Sequence, residues 1–78
     1  MNDIQNYVLT IIAEKIGASK DTTDVNDNLF ADLNASKLEK AEIIASLEEK
    51  YHITFDIEEL SGLNTPLGII EYIEDNVE

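Results

Sequence analysis

The amino-acid sequence predicts an all-α domain, a small antiparallel four-helix bundle with three main helices, a short third helix and a long first loop. Apolar residues recur at helical spacing in three segments, and residues that favour helix starts precede the last three of the four predicted helices. The chain has 78 residues and no cysteine, so we expect the fold to rest on helix packing without disulfide bonds. At this length we expect a single domain spanning residues 1–78.

The first helix is predicted at about residues 3–16. Its apolar residues follow the period of a helix that buries one face: Ile4, Val8, Ile11, Ile12 and Ile16. Asn2 or Asp3 can cap its start, and Gly17 can supply the left-handed residue that follows its end.

A long polar stretch follows the first helix, at residues 18–28. It has no period and is rich in Asp, Thr, Asn and Ser, which is typical of a loop. We expect Leu29, Phe30 and Leu33 to pin this loop onto the core. A connection of this length between helices is unusual and is often functional.

The second helix is predicted at about residues 36–51. Ser36 and Glu39 form a capping-box pattern, in which each side chain can bond the backbone N–H of the other residue. We expect a broad apolar surface on this helix, made by Leu38, Ala41, Ile43, Ile44, Ala45, Leu47 and Tyr51.

Two further helices are predicted at about residues 57–61 and 66–76. Residues 52–55 alternate polar and apolar side chains, but they have no partner strand, so we assign them to an extended loop. Asp56 can then cap the short third helix. Thr65 and Pro66 together predict the start of the last helix, with Thr as the cap and Pro at the first helical position.

Composition excludes several function classes. Seventeen acidic residues against five lysines give a net charge of −12, which argues against binding to nucleic acid or to anionic membranes. No apolar run reaches the ~18 residues of a membrane span, and no signal peptide is evident, so we expect a cytoplasmic location. We also expect the chain to be a monomer. The loop that contains Asp21, Asp24 and Asp27 lacks the Gly and the closing Glu of an EF-hand, so we expect no metal site. We also expect no enzyme active site.

Several short motifs resemble those of the acyl carrier protein family, in order and without a gap between Ile4 and Ile73. They are Phe30-Ala31-Asp32-Leu33 before the second helix, Glu42-Ile43-Ile44 and Leu47-Glu48-Glu49-Lys50-Tyr51 within it, and Asn64-Thr65-Pro66 with Tyr72-Ile73 near the end. Asn34 stands at a position where the family usually has Gly, and Asn tolerates the same left-handed backbone.

The resemblance implies that a serine at the start of the second helix carries phosphopantetheine, within an Asp-Ser-Leu triplet. Here the triplet reads Ser36-Lys37-Leu38, so Ser36 falls on the capping Asp and Lys37 on the attachment serine. We therefore expect a carrier-like domain of fatty-acid or polyketide metabolism that lacks its attachment point and its cofactor. Two alternatives remain: a working carrier with 4'-phosphopantetheine on Ser36, and a non-carrier structural or regulatory subunit.

The resemblance also implies that the acidic second helix docks onto basic surfaces of carrier-dependent enzymes. We predict that the charges of this partner-binding surface are Glu39, Glu42, Glu48 and Glu49, and that its apolar residues are Leu38, Ala41 and Phe55. Lys40 weakens the acidic surface, unless it pairs with a carboxylate of its own helix. Because Ala41 and Ala45 are small, the helix either leaves room for a ligand or packs loosely.

Overall fold

The computed structural model describes residues 3–77, and in that range it has four α-helices and no strand. The helices are α1 (Asp3–Ile16), α2 (Lys37–Tyr51), α3 (Ile57–Leu60) and α4 (Pro66–Asn76). The prediction of an all-α fold is confirmed. The structure adds a short 3-10 turn, Lys20–Thr22, within the long loop that was predicted to be irregular.

Helix ends follow the capping residues of the sequence. Gly17 is left-handed with φ of 73°, and the Ala18 N–H donates to the Ala13 carbonyl at 2.9 Å, which closes α1. His52 closes α2 in the same way with φ of 56°. The predicted Asn2 cap of α1 lies outside the described residues. The short helix α3 ends at Leu60, one residue before the predicted end, because Ser61 is its cap.

α1 packs against both α2 and α4, and their facing side chains form the core. The fully buried side chains in this core are Val8, Ile12, Leu29, Ile43, Leu47, Pro66, Ile69 and Ile73. Each buried aliphatic side chain stabilises the fold by roughly 1.5–3 kcal/mol relative to an exposed one.

The long loop is pinned to the core by two of the three residues predicted for this role, whereas Phe30 lines a cavity instead. Leu29 is fully buried, and Leu33 packs against the core cluster. The Leu29 N–H donates to the Asn64 carbonyl at 2.8 Å, and the Leu67 N–H donates to the Val25 carbonyl at 2.8 Å. These bonds fix the loop against the segment between α3 and α4, so the chain enters α2 from a defined position.

The apolar face of α2 is narrower than predicted. Its buried residues are Ile43, Ile44 and Leu47. Leu38, Ala41 and Ala45 are exposed, so this part of the predicted apolar surface is not buried in the core. The reason is geometric: a helix buries one stripe at a period of 3.6, and these three residues lie outside the stripe that faces α1.

Candidate functional site: the start of α2 and the cavity beside it

Ser36 is the N-cap of α2, with extended backbone (φ −85°, ψ 166°). Its Oγ accepts a hydrogen bond from the Glu39 N–H at 3.0 Å, and the Glu39 Oε1 accepts one from the Ser36 N–H at 2.8 Å. The predicted capping box is therefore confirmed. The Ser36 oxygen is engaged by the backbone of its own helix, where it satisfies a donor that would otherwise lack a partner.

Lys37 is the first residue of α2, and it is exposed. Among residues 3–77 its side chain forms no hydrogen bond, ion pair or ring contact. It lines a cavity beside the helix start. A cation at this end of a helix is disfavoured by the helix dipole, so α2 itself gains nothing from the charge of Lys37.

The loop before α2 is ordered by its own polar side chains. The Asn28 Oδ1 accepts hydrogen bonds from the N–H groups of Phe30 and Ala31 at 2.9 and 2.8 Å, and the Asp32 Oδ2 accepts one from the Asn28 N–H at 2.8 Å. Asn34 then takes a left-handed backbone with φ of 57°. The Phe30-to-Leu33 motif is therefore a compact turn that sets the direction in which α2 begins.

An apolar cavity of about 390 Å³ lies between α2 and α3. Its apolar lining is Phe30, Ala41, Ile44, Ile57 and Leu60, and its charged lining is Lys37 and Lys40. Ala41 borders this space, while Ala45 does not line it. Of the two possibilities that the small side chains left open, the structure has room for a ligand at Ala41.

Lys40 links α2 to residues 60–64, on the opposite side of this cavity. Its Nζ donates to the Leu60 carbonyl at 2.8 Å and to the Asn64 Oδ1 at 3.0 Å, and it lies 5.6 Å from the centre of the Phe30 ring. Burial lowers the pKa of Lys40 below its ordinary value. Sequence spacing on the helix could not reveal these contacts, because the partners lie 20 and 24 residues further along the chain.

The four glutamates predicted to form the charged docking surface have different environments. Glu42 and Glu49 are exposed, and none of the contacts within residues 3–77 uses their carboxylates. Glu39 is part of the capping box. The Glu48 Oε2 accepts a hydrogen bond from the Phe55 N–H at 2.8 Å, so Glu48 ties the end of α2 to the segment before α3.

The apolar residues predicted for the docking surface also differ in exposure. Leu38 is 69% exposed. Phe55 is only 3% exposed and stacks on Tyr72, with ring centroids 4.5 Å apart, so its predicted place on the docking surface is wrong. Ile57 is an exposed apolar residue that the sequence prediction did not include; it is 84% exposed and lies at the first position of α3. The signal in the sequence is that the apolar residue Ile57 directly follows the predicted helix cap Asp56.

In the described part of the chain, no group of three or more His, Cys, Asp or Glu residues is arranged to hold a metal ion. The loop carboxylates instead bond their own backbone: the Asp24 Oδ1 accepts from the Asn26 N–H at 2.8 Å, and the Asp27 Oδ2 accepts from the Asp24 N–H at 3.1 Å. None of the helices described is long and apolar enough to cross a membrane.

Known proteins resemble this chain over almost its whole length. The family model described as "Phosphopantetheine attachment site" matches residues 6–73. The acyl carrier protein of Chlamydia trachomatis serovar L2 is 30% identical over 73 residues, which cover 94% of this chain and 95% of that protein. The acyl carrier protein of Exiguobacterium sibiricum is 33% identical over 66 residues, which cover 85% and 84% respectively.

The match defines the class as a phosphopantetheine attachment domain. Together with the relatives, it shows that the chain belongs to the acyl carrier protein family. The prosthetic group of such a domain, when it is modified, is 4'-phosphopantetheine.

Proposed function

We propose that this chain is an acyl carrier protein-like domain of fatty-acid or polyketide metabolism that lacks the phosphopantetheine serine, because Lys37 takes its position. It is not an enzyme. It acts by docking carrier-dependent enzymes through α2. The observation that carries the proposal is the division of roles at the helix start, where Ser36 caps α2 and Lys37 is its first residue.

The capping geometry supports this register. In the family triplet Asp-Ser-Leu, the Asp caps the helix and the serine is the next residue. Ser36 has the capping role here, and Leu38 keeps the place of the triplet's Leu. Shifting the register by one residue, so that Ser36 becomes the attachment serine, would leave the cap position to Ala35, which has no side-chain acceptor.

The side chains at the start of α2 do not fit the prosthetic group at the matching position. Attachment requires a hydroxyl oxygen, and Lys37 offers an ammonium group instead. The nearest hydroxyl, that of Ser36, accepts a hydrogen bond from the Glu39 N–H. We therefore expect no 4'-phosphopantetheine on the chain as it stands.

The docking surface that we propose consists of Glu42 and Glu49 for charge and of Leu38, Ala41 and Ile57 for apolar contact. All five are exposed, so they are accessible to a partner. The partner that fits is an enzyme of acyl-chain metabolism with a basic surface, because the chain carries a net charge of −12 and opposite charge speeds association. We place the protein in the cytoplasm as a monomer.

The attachment question is tested by intact mass. The protein and its Lys37→Ser variant are incubated with coenzyme A and a broad-specificity phosphopantetheinyl transferase. We expect the variant to gain the mass of one arm and the native chain to stay unchanged. An arm on the native chain that is lost in Ser36→Ala would overturn the proposal and identify an ordinary carrier modified at Ser36.

A second candidate function is that of a working carrier that bears 4'-phosphopantetheine on Ser36. The exposure of Ser36 and the match to an attachment-site family favour it. A third is a structural or regulatory subunit that binds its enzyme without cargo. Failure of the Lys37→Ser variant to accept an arm would favour the third candidate, because a serine at the matching position would then not be recognised.

A further inference from the structure

A second cavity, of about 440 Å³, lies between α1 and α2, and we call it the α1–α2 groove. Its volume is within the roughly 300–1,000 Å³ typical of ligand sites. Its residues follow the spacing i, i+4, i+7 and i+8 on α1 and i, i+3 and i+4 on α2, so each helix contributes one face. The groove is lined by Tyr7, Ile11, Glu14 and Lys15 of α1 and by Ser46, Glu49 and Lys50 of α2.

The α1–α2 groove and the cavity between α2 and α3 lie on opposite sides of α2. At about 3.6 residues per turn, Ser46, Glu49 and Lys50 are directed about half a turn away from the α2 residues that line the other cavity. Lys37 is among those residues. A molecule bound in the groove therefore leaves position 37 accessible.

Tyr7 already holds a cation in the α1–α2 groove. The Lys50 Nζ lies 5.1 Å from the centre of the Tyr7 ring, within the ~6 Å of a cation–π interaction. Tyr51 packs against the same ring at right angles, with centroids 5.9 Å apart, which holds the ring in place. Lys50 itself is exposed and forms no hydrogen bond or ion pair within residues 3–77. Another cation can therefore replace Lys50 on the ring at little cost.

Two carboxylates of the α1–α2 groove have no partner in the described part of the chain. Glu14 on α1 and Glu49 on α2 are both exposed, and neither forms a hydrogen bond or an ion pair within residues 3–77. When Lys50 turns to solvent, these two carboxylates face the single ammonium group of Lys15. One negative charge is then left over, so a ligand group with one positive charge matches the groove.

We propose that the α1–α2 groove binds an arginine side chain of a protein partner, in the place that Lys50 takes in the free chain. The guanidinium stacks on the Tyr7 ring, and its N–H groups donate to the carboxylates of Glu14 and Glu49. Arginine fits better than lysine, because its guanidinium is planar, forked and less strongly hydrated. The net charge of −12 attracts such a partner. This inference does not rest on the proposed function, since neither Lys37 nor a prosthetic group takes part.

Two capped tripeptides, acetyl-Gly-Arg-Gly-amide and acetyl-Gly-Lys-Gly-amide, are titrated into the full chain at 0.15 M salt, and binding is followed by backbone amide NMR shifts. We expect the arginine peptide to bind at least about threefold more tightly than the lysine peptide. Shifts should concentrate on the residues that line the groove. Glu49→Gln should weaken the arginine peptide by about two- to threefold. Tyr7→Leu should reduce it to the affinity of the lysine peptide.

Lys50→Gln is the most informative variant, because the proposal predicts a gain in affinity. The arginine peptide should bind about two- to threefold more tightly, since it no longer competes with Lys50 for the ring. Lys37→Gln is the matched control. It removes the same charge roughly 20 Å away along α2, beyond the Debye length of about 8 Å, so it should leave the affinity unchanged.

Glu58→Gln on α3 is the control for Glu49→Gln, because Glu58 is exposed and does not line the groove. The proposal is overturned by no binding of the arginine peptide, by equal affinity for the two peptides, by shifts outside the groove, by no gain in Lys50→Gln, or by an equal loss in Glu58→Gln. Should Tyr7→Leu fail to fold, the exposed positions Glu49 and Lys50 decide. The mass test of Lys37→Ser does not involve the groove, so the proposed function can fail without this inference failing.

Discussion

At the residue scale, Ser36 has a structural role that can be measured. Ser36→Ala should lower the free energy of unfolding by about 0.5–2 kcal/mol, because the Glu39 N–H loses its acceptor. Ser36→Asp should restore most of it, since Asp caps as well as Ser. Urea unfolding followed by circular dichroism measures both. Ser46→Ala within α2 is the control, with a change of no more than about 0.5 kcal/mol. Equal effects of the two alanines would contradict the capping role.

Lys40 should make stability depend on pH above neutrality. Burial lowers the pKa of Lys40 in the folded chain, so between that value and its ordinary value of 10.5 the unfolded chain binds more protons. The stability linked to Lys40 is therefore present above pH 10.5 and is lost as the pH falls through the folded pKa. We expect the free energy of unfolding of the native chain, minus that of Lys40→Met, to rise between pH 8 and pH 10.5. A difference that is flat or falls with pH would contradict this.

At the scale of elements, two adjacent glutamates on α2 have different roles: Glu48 accepts a structural hydrogen bond, whereas Glu49 contributes surface charge. Glu48→Ala should cost about 1.5 kcal/mol in the free energy of unfolding, because the Phe55 N–H loses a charged acceptor at 2.8 Å. Glu49→Ala, one residue on and exposed, should change it by no more than about 0.5 kcal/mol. Chemical denaturation of the two variants tests the contrast, and similar losses would contradict it.

The proposed docking surface predicts the effect of charge reversal on a partner. In the Lys37→Ser background, Glu42→Lys should slow arm transfer by the phosphopantetheinyl transferase by about tenfold at low salt, and less as salt is added. Glu14→Lys on α1 makes the same charge change on another helix and should leave the rate unchanged. A rate unaffected by Glu42→Lys would exclude Glu42 from the docking surface.

Local signals were enough to predict the helices, and contacts between distant segments were not. Gly17, Ser36 and Pro66 each act on a helix end within a few residues, so the boundaries of α1, α2 and α4 follow from sequence. The burial of Phe55 depends on stacking with Tyr72, 17 positions away, and on a bond from Glu48. Such pairings leave no local pattern in the sequence, so the burial of Phe55 could not be predicted from it.

At the scale of the whole molecule, the net charge of −12 should make the fold sensitive to salt. Repulsion among carboxylates is stronger in the compact state, so screening should stabilise it. We expect the midpoint of thermal unfolding to rise from 10 mM to 500 mM NaCl. A gain of about 1 kcal/mol would correspond to about 4–8 °C in a chain of this size. No rise would mean that the lysine contacts already balance the repulsion.

The exposed, uncontacted side chain of Lys37 has an evolutionary consequence. Substitutions at such a surface position usually change stability by less than about 0.5 kcal/mol, so serine and lysine are nearly interchangeable there as far as folding is concerned. In the register that we propose, position 37 is the attachment position and Ser36 supplies the cap independently. A single substitution at position 37 would then be enough for a lineage to gain or lose cargo, without a compensating change elsewhere. Selection on what the domain carries is thereby separated from selection on whether it folds.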